Sequence, residues 1–194
     1  MIKDIGKRNK YVIALIIALI IVVISGKAYS HLYDAALLNS YPQKYKNYVS
    51  ACSDEFGVPE QIIYATIKTE SNFRPRARSS AGAVGLMQLM PDTFEWLTDY
   101  KLRENLPSNR LLDPYTNIRY GTYMLSWLYD YYGDWETTFA AYNAGPGRVD
   151  SWLEDERYSS DGKLTHIPNS ETRSYVQKQL QNIEKYEKLY YTGE

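Results

Sequence analysis

Cysteine is almost absent. Cys52 is the only one in 194 residues, so no internal disulfide can form and any exported domain must rely on its core. Cys52 itself reads as a small buried hydrophobe. Histidine is nearly as scarce, with only His31 and His166. Neither carries a cysteine-protease signature, and HExxH and Cys/His zinc spacings are both missing. The sequence therefore calls for no metal and no other cofactor. Gly/Ser tracts, Pro-rich stretches and repeats are also lacking, which argues against disorder. Net charge is small, at −1. It is unevenly spread: residues 1–30 hold five bases against one acid, and the remainder holds 17 against 22. An acidic domain makes a poor nucleic-acid binder, because phosphate affinity needs clustered Lys and Arg.

One long apolar run is present, Tyr11 to Ile24, reading YVIALIIALIIVVI. It is short for a spanning helix and also compatible with a signal-peptide core. Lys3, Lys7, Arg8 and Lys10 precede it, so residues 1–10 should stay in the cytoplasm and the rest should be exported. Ala28 and Ser30 offer a small-residue cleavage site, but Lys27 and Tyr29 interrupt it. No cysteine follows closely, which argues against a lipid-modified start. The expectation is an uncleaved transmembrane anchor over 11–26 and a stem over 27–43. A single catalytic domain over 44–191 should then lie on the extracytoplasmic side of the membrane. A removed signal is the alternative.

The chain as a whole is globular in composition, with 44% hydrophobic and 23% charged residues, and it is rich in tyrosine, with 20. Tyr45, Tyr48, Val49, Cys52 and Phe56 fall at helical spacing, and Gly57 ends that run. Pro59 sits at an early helix position, opening a helix to about Ser71. A loop follows to Gly85. Further helices are expected from Pro91, from Pro114 to Tyr132, from Trp135 to Asn143, over Val149–Leu153 and from Glu171 to about Tyr191. The turn Gly145-Pro146-Gly147 stops one of them. No convincing strand exceeds three or four residues, so the fold class is mainly α around one core.

Glu70 is the candidate acid. Ile63, Thr66, Ile67 and Glu70 fall at i, i+3, i+4 and i+7, on one helical face. A carboxylate that continues an apolar stripe tends to take up a proton, which raises its pKa and suits a general acid. The plainer alternative is a helix-end Glu that reaches solvent.

Four blocks bear on that choice: Glu70-Ser71, Gly85-Leu86-Met87-Gln88, Ala141-Tyr142-Asn143-Ala144-Gly145, and Ile167-Pro168-Asn169-Ser170-Glu171-Thr172-Arg173. In this order and spacing, over about residues 45–190, the sequence resembles the SLT-type lytic transglycosylases, relatives of goose-type lysozyme in glycoside hydrolase family 23. The resemblance implies a lysozyme-like, mainly α single domain. It implies Glu70 as catalytic acid and Ser79 near the substrate's N-acetyl group. Gln88 and Met90 would line the cleft, and Tyr142 and Asn143 would form the pair whose Tyr hydroxyl lies near the carboxyl. Glu171 would be a supporting cleft residue.

The substrate so implied is the glycan strand of peptidoglycan. One Glu stands out and no second carboxylate lies near it in sequence, although Asp92 and Glu95 are spatial candidates. A single-acid route fits better than the usual carboxylate pair. Glu70 would protonate the oxygen between N-acetylmuramic acid and N-acetylglucosamine, then take the proton of the muramoyl C6 hydroxyl as that oxygen closes a 1,6-anhydro ring. A hydrolytic muramidase and a non-catalytic wall-binding protein are the competing readings. Protein partners, endo- versus exo-action and oligomeric state are not legible.

Overall fold

The computed structural model describes residues 2–192, with side chains from residue 21 onward together with Leu19. It divides into two compact units, Met1–Pro42 and Gln43–Glu194. The first holds one helix, α1 (Ile2–Ser40). The stem expected over 27–43 is thus helical down to Ser40. Residues 27–40 contain no proline and are rich in Ala and Leu, which favour helix. Leu19 and Ile21 to Ile24 are exposed. Among the described residues no helix is long and apolar enough to cross a membrane. The first part of the expected span, residues 11–18, lies outside the residues whose side chains are described.

The second unit is helical. Its elements are α2 (Lys46–Phe56), α3 (Glu60–Ser71), α4 (Pro91–Trp96), α5 (Pro114–Tyr132), α6 (Trp135–Ala144), α7 (Pro146–Leu153) and α8 (Ser170–Tyr190). One two-residue antiparallel pair, β1 (Ser159–Ser160) with β2 (Lys163–Leu164), precedes α8. Local sequence sets the starts. Asp113, Asp134 and Asn169 each accept the backbone N–H three residues on, at 2.9 Å, capping α5, α6 and α8. Pro91, Pro114 and Pro146 occupy first-turn positions, where a missing N–H costs nothing. Gly133, at φ +75°, ends α5 in the left-handed conformation and returns its N–H to the Tyr129 carbonyl.

Three features depart from the sequence reading. Pro146 does not merely stop α6; it opens α7, three residues before the expected start. α4 runs on as a π turn, Leu97–Lys101, and the loop before Pro114 contains a 3-10 turn, Ser108–Leu112. Neither short helix type has a hydrophobic period distinct enough to read at five residues.

The core forms where α3 packs on α8, α5 on α2 and α6, and α6 on α7 and α8. Ile63, Ile67, Leu86, Phe94, Leu125, Leu128 and Phe139 are fully buried there. Ala140 and Ala141, also fully buried, let neighbouring helices come close to α6. Each large aliphatic or aromatic side chain so buried contributes roughly 1.5–3 kcal/mol. Cys52 is buried on α2 as a free thiol. Burial, with Glu55 nearby, pushes that thiol up to about 12.

Candidate active site

Glu70 sits in the last turn of α3, beyond a face whose Ile63, Thr66 and Ile67 are completely buried. The chain leaves α3 through two left-handed residues, Asn72 (φ 50°) and Phe73 (φ 61°), and folds back as the loop to Met90. Ser71 ties loop to helix by donating its hydroxyl to the Leu86 carbonyl at 2.7 Å. Asn117, buried on α5, holds the loop from the other side. Its amide donates to the carbonyls of Val84 and Leu111, both at 2.9 Å, and its oxygen accepts the Met87 N–H at 2.7 Å. Gly85 passes so close that a Cβ would stand 2.2 Å from the Asn117 nitrogen, and its φ of +88° also demands glycine.

The Glu70 carboxyl is half-buried and crowded by protein. The Tyr175 hydroxyl, from α8, donates to Oε1 at 2.7 Å. Gln179, one turn along, donates its Nε2–H to the Tyr175 oxygen at 2.8 Å. Gln179 is oriented in turn: Thr69 donates to its Oε1 at 3.3 Å and receives the Asn182 amide at 2.8 Å. An amide nitrogen can only donate, so the Tyr175 proton must point at Glu70. Oε1 is therefore occupied as an acceptor, which leaves Oε2 to carry a transferable proton.

Burial pushes Glu70 up to about 7, against the opposing pulls of the Tyr175 hydrogen bond and the Lys178 charge. Desolvation outweighs both, which is how a carboxyl comes to be an acid near neutral pH. Burial, then the neighbouring Glu70, also drives the Tyr142 and Tyr175 hydroxyls well above the usual phenol value, so both stay protonated.

Of the residues singled out in the sequence, Gln88, Met90, Tyr142 and Asn143 line one groove of about 290 Å3, together with Thr93, Met124 and Pro146. Glu70 is not in that wall. Tyr142 joins the two, since it lines the groove and feels the Glu70 charge. Its hydroxyl, however, donates to the Met87 carbonyl at 2.8 Å, and Tyr175 is the tyrosine bonded to the carboxyl. Gln88, at φ 49°, spends its amide on the carbonyls of Ala77 and Gly85, which shapes the groove's edge. Ser79 lies on the exposed loop with its hydroxyl accepting the Ala83 N–H at 3.0 Å. Glu171 is exposed in the first turn of α8, one turn before Tyr175 and on its face.

Sequence reasoning missed Tyr175, Gln179 and Asn117. The first two had a signal, the four-residue spacing 171–175–179 on α8. Asp92 and Glu95 are exposed on α4, and neither is among the groups that shift Glu70. Glu95 accepts the Ser108 hydroxyl at 3.4 Å. Among the described residues no group of three or more His, Cys, Asp or Glu is arranged to hold a metal ion. A separate cleft of about 170 Å3 beside Glu136, His166 and Arg173 contains none of the carboxyl's partners.

Comparison with known proteins gives a consistent result. The transglycosylase SLT domain family matches residues 47–164. The soluble lytic murein transglycosylase of Escherichia coli (strain K12) is 37% identical over 161 residues, covering 81% of this chain and 24% of the relative. The membrane-bound lytic murein transglycosylase C of Haemophilus influenzae (strain PittGG) is 30% identical over 159 residues, covering 70% of this chain and 44% of the relative. Among solved structures, an inactive mutant of the lytic transglycosylase Slt from Pseudomonas aeruginosa superposes with a TM-score of 0.67 at 37% identity, over 77% of this chain and 25% of that one. A 70 kDa soluble lytic transglycosylase in complex with bulgecin A gives 0.71 at 32% identity, over 88% of this chain and 27% of that one. The chain thus spans about a quarter of the length of these soluble relatives.

Proposed function

This chain belongs to the transglycosylase SLT family and has its mainly helical, lysozyme-like fold, and from that premise we propose that it is a peptidoglycan lytic transglycosylase with Glu70 as the single acid/base. The observation that carries the reading is the Glu70 carboxyl, raised to about 7 and fixed by Tyr175, beside a groove lined by Gln88, Met90, Tyr142 and Asn143.

Protonated Glu70 gives its Oε2 proton to the glycosidic oxygen between N-acetylmuramic acid and N-acetylglucosamine. The C1–O bond breaks and the N-acetylglucosamine portion leaves as an alcohol. The acetamido oxygen of the muramoyl unit shares the positive charge at C1, so no protein nucleophile is required. Glu70, now anionic and held by Tyr175 at Oε1, accepts the proton of the muramoyl C6 hydroxyl. That oxygen closes on C1 and forms the 1,6-anhydro end. The proton returns to Glu70, and no water is consumed. Gln88, Met90, Tyr142, Asn143 and Ser79 bind the strand in this reading, and Glu171 supports the cleft from α8.

The chain is further proposed to be anchored by α1, with its catalytic unit on the extracytoplasmic side, in cell-wall remodelling. Support comes from the basic residues before Tyr11, the apolar run to Ile24, the exposure of Ile21 to Ile24, and the membrane-bound relative. A helical stem from Lys27 to Ser40 reaches only about 20 Å, against roughly 50 Å if extended. Action should therefore be confined to membrane-proximal glycan.

Digestion of purified sacculi tests the chemistry. Muropeptides ending in 1,6-anhydromuramic acid are expected, and Glu70→Gln should remove them while keeping the fold. Reducing-end muramic acid as the sole product would make the protein a muramidase, and no product at all would leave a wall-binding module.

A further inference from the structure

A second cavity, of about 330 Å3, adjoins the groove and shares Thr93, Met124 and Pro146 with it. Its remaining walls are Asp92, Trp96 and Trp127. We propose that this aromatic recess is a distal glycan subsite, where a sugar ring of the same strand packs on Trp96 and Trp127 beyond the groove that holds the reacting bond. The proposal rests on the transglycosylase reading above and extends it to how the strand is gripped.

The two tryptophans are not core fillers. α5 turns its buried stripe inward through Ile118, Met124, Leu125 and Leu128, whereas Trp127 is only half-buried and Tyr131, one turn on, is 63% exposed. Trp127 and Tyr131 thus form an aromatic stripe along the flank of the buried one, next to Met124. Trp96, at the end of α4, meets Trp127 edge to face with centroids 5.0 Å apart, and Trp127 lies nearly parallel to Tyr131 at 6.4 Å. Lys101, brought round by the π turn after α4, sets its ammonium 4.9 Å over Trp96 and 5.2 Å over Trp127. This stacking and the cation above it hold the pair rigid while it still lines an open recess.

That chemistry fits a saccharide. A pyranose presents a face of C–H groups that docks on the negative face of an aromatic ring, while its hydroxyls at the rim need acceptors. Asp92, exposed on the first turn of α4, supplies one. Continuity with the groove names the occupant, because a strand lying along Gln88 and Tyr142 must pass Thr93, Met124 and Pro146 to leave at this end.

The test uses the full chain in detergent carrying Glu70→Gln, which should bind without turnover, and peptide-free strands of alternating N-acetylglucosamine and N-acetylmuramic acid. Affinity for an octasaccharide and a disaccharide is measured by calorimetry. The octasaccharide is expected to bind more tightly. Adding Trp127→Ala should weaken it about three- to tenfold more than the disaccharide, as expected for one aromatic stacking contact. Trp127→Tyr should restore most of the loss. Asp92→Ala, at an exposed position where folding is not at risk, should also weaken the octasaccharide selectively. Thermal unfolding of each variant shows that the fold survives. Equal effects on both lengths, or none, overturn the subsite while leaving the enzymatic reading intact. Failure of the Glu70→Gln protein to bind either strand, with no anhydro product from the unsubstituted chain, overturns both.

Discussion

Replacing Glu70 by Gln should make the protein more stable as well as inactive, and the gain should depend on pH. Burial raises the Glu70 carboxyl from 4.5 to about 7 in the folded chain. Between those values the folded state holds a proton that the unfolded state has released. Stability then falls as pH rises, because the native state binds more protons. The loss begins near pH 4.5, grows through the window and is complete above about pH 7. At 1.36 kcal/mol per pKa unit the full effect is about 3 kcal/mol, an upper bound because the side chain keeps some access to solvent. Glutamine has no such proton to lose. Urea unfolding of the two proteins, followed by circular dichroism at pH 4.5 and pH 8, isolates the effect, since every other titrating group cancels in the double difference. The stability advantage of Glu70→Gln should be larger at pH 8 by a large part of that 3 kcal/mol. An advantage that does not change with pH would refute the desolvated carboxyl.

Other perturbations probe the surroundings. Tyr175→Phe removes the donor that favours the Glu70 anion, so the alkaline limb of kcat/KM should move to higher pH while kcat falls; an unmoved limb would contradict the Oε1 contact. Asn117→Ala strands the Leu111 carbonyl and the Met87 N–H inside the protein and leaves the Val84 carbonyl with only the Leu89 N–H, so denaturant unfolding should show a loss of about 2 kcal/mol or more. Gly85→Ala forces a side chain into a positive φ and into Asn117, and should cost at least about 2 kcal/mol by the same assay. Cys52, buried with its thiol pushed up to about 12, should resist an aromatic disulfide reagent at pH 8 until the protein unfolds.

Much of this was legible because the informative residues act locally. The 3.6-residue spacing of Ile63, Thr66, Ile67 and Glu70 placed the carboxyl on the buried face of α3, and Gly133, Pro91 and Pro114 marked helix ends by their own backbone limits. Harder to see was anything decided across the chain. Tyr175 lies 105 residues from Glu70, and the 171–175–179 spacing puts it on the Glu171 face of α8 without saying that it, among 20 tyrosines, supplies the hydrogen bond. The resemblance implies a Tyr142 hydroxyl near the carboxyl; Tyr142 does feel the Glu70 charge, and its proton goes to the Met87 carbonyl. Asn117 reads as an ordinary helix residue, and only the folded loop reveals that it fills three hydrogen-bonding roles. Trp96 and Trp127 are likewise 31 positions apart and meet only because α4 and α5 bring them together.

The most direct measurement is the titration of the Glu70 carboxyl itself, followed by the carbon chemical shift of side-chain-labelled glutamate, with Glu70→Gln assigning the resonance. A midpoint close to pH 7 is the expected result. A midpoint near 4.5, the value of a carboxyl in free contact with water, would remove the acid from which the chemistry is derived.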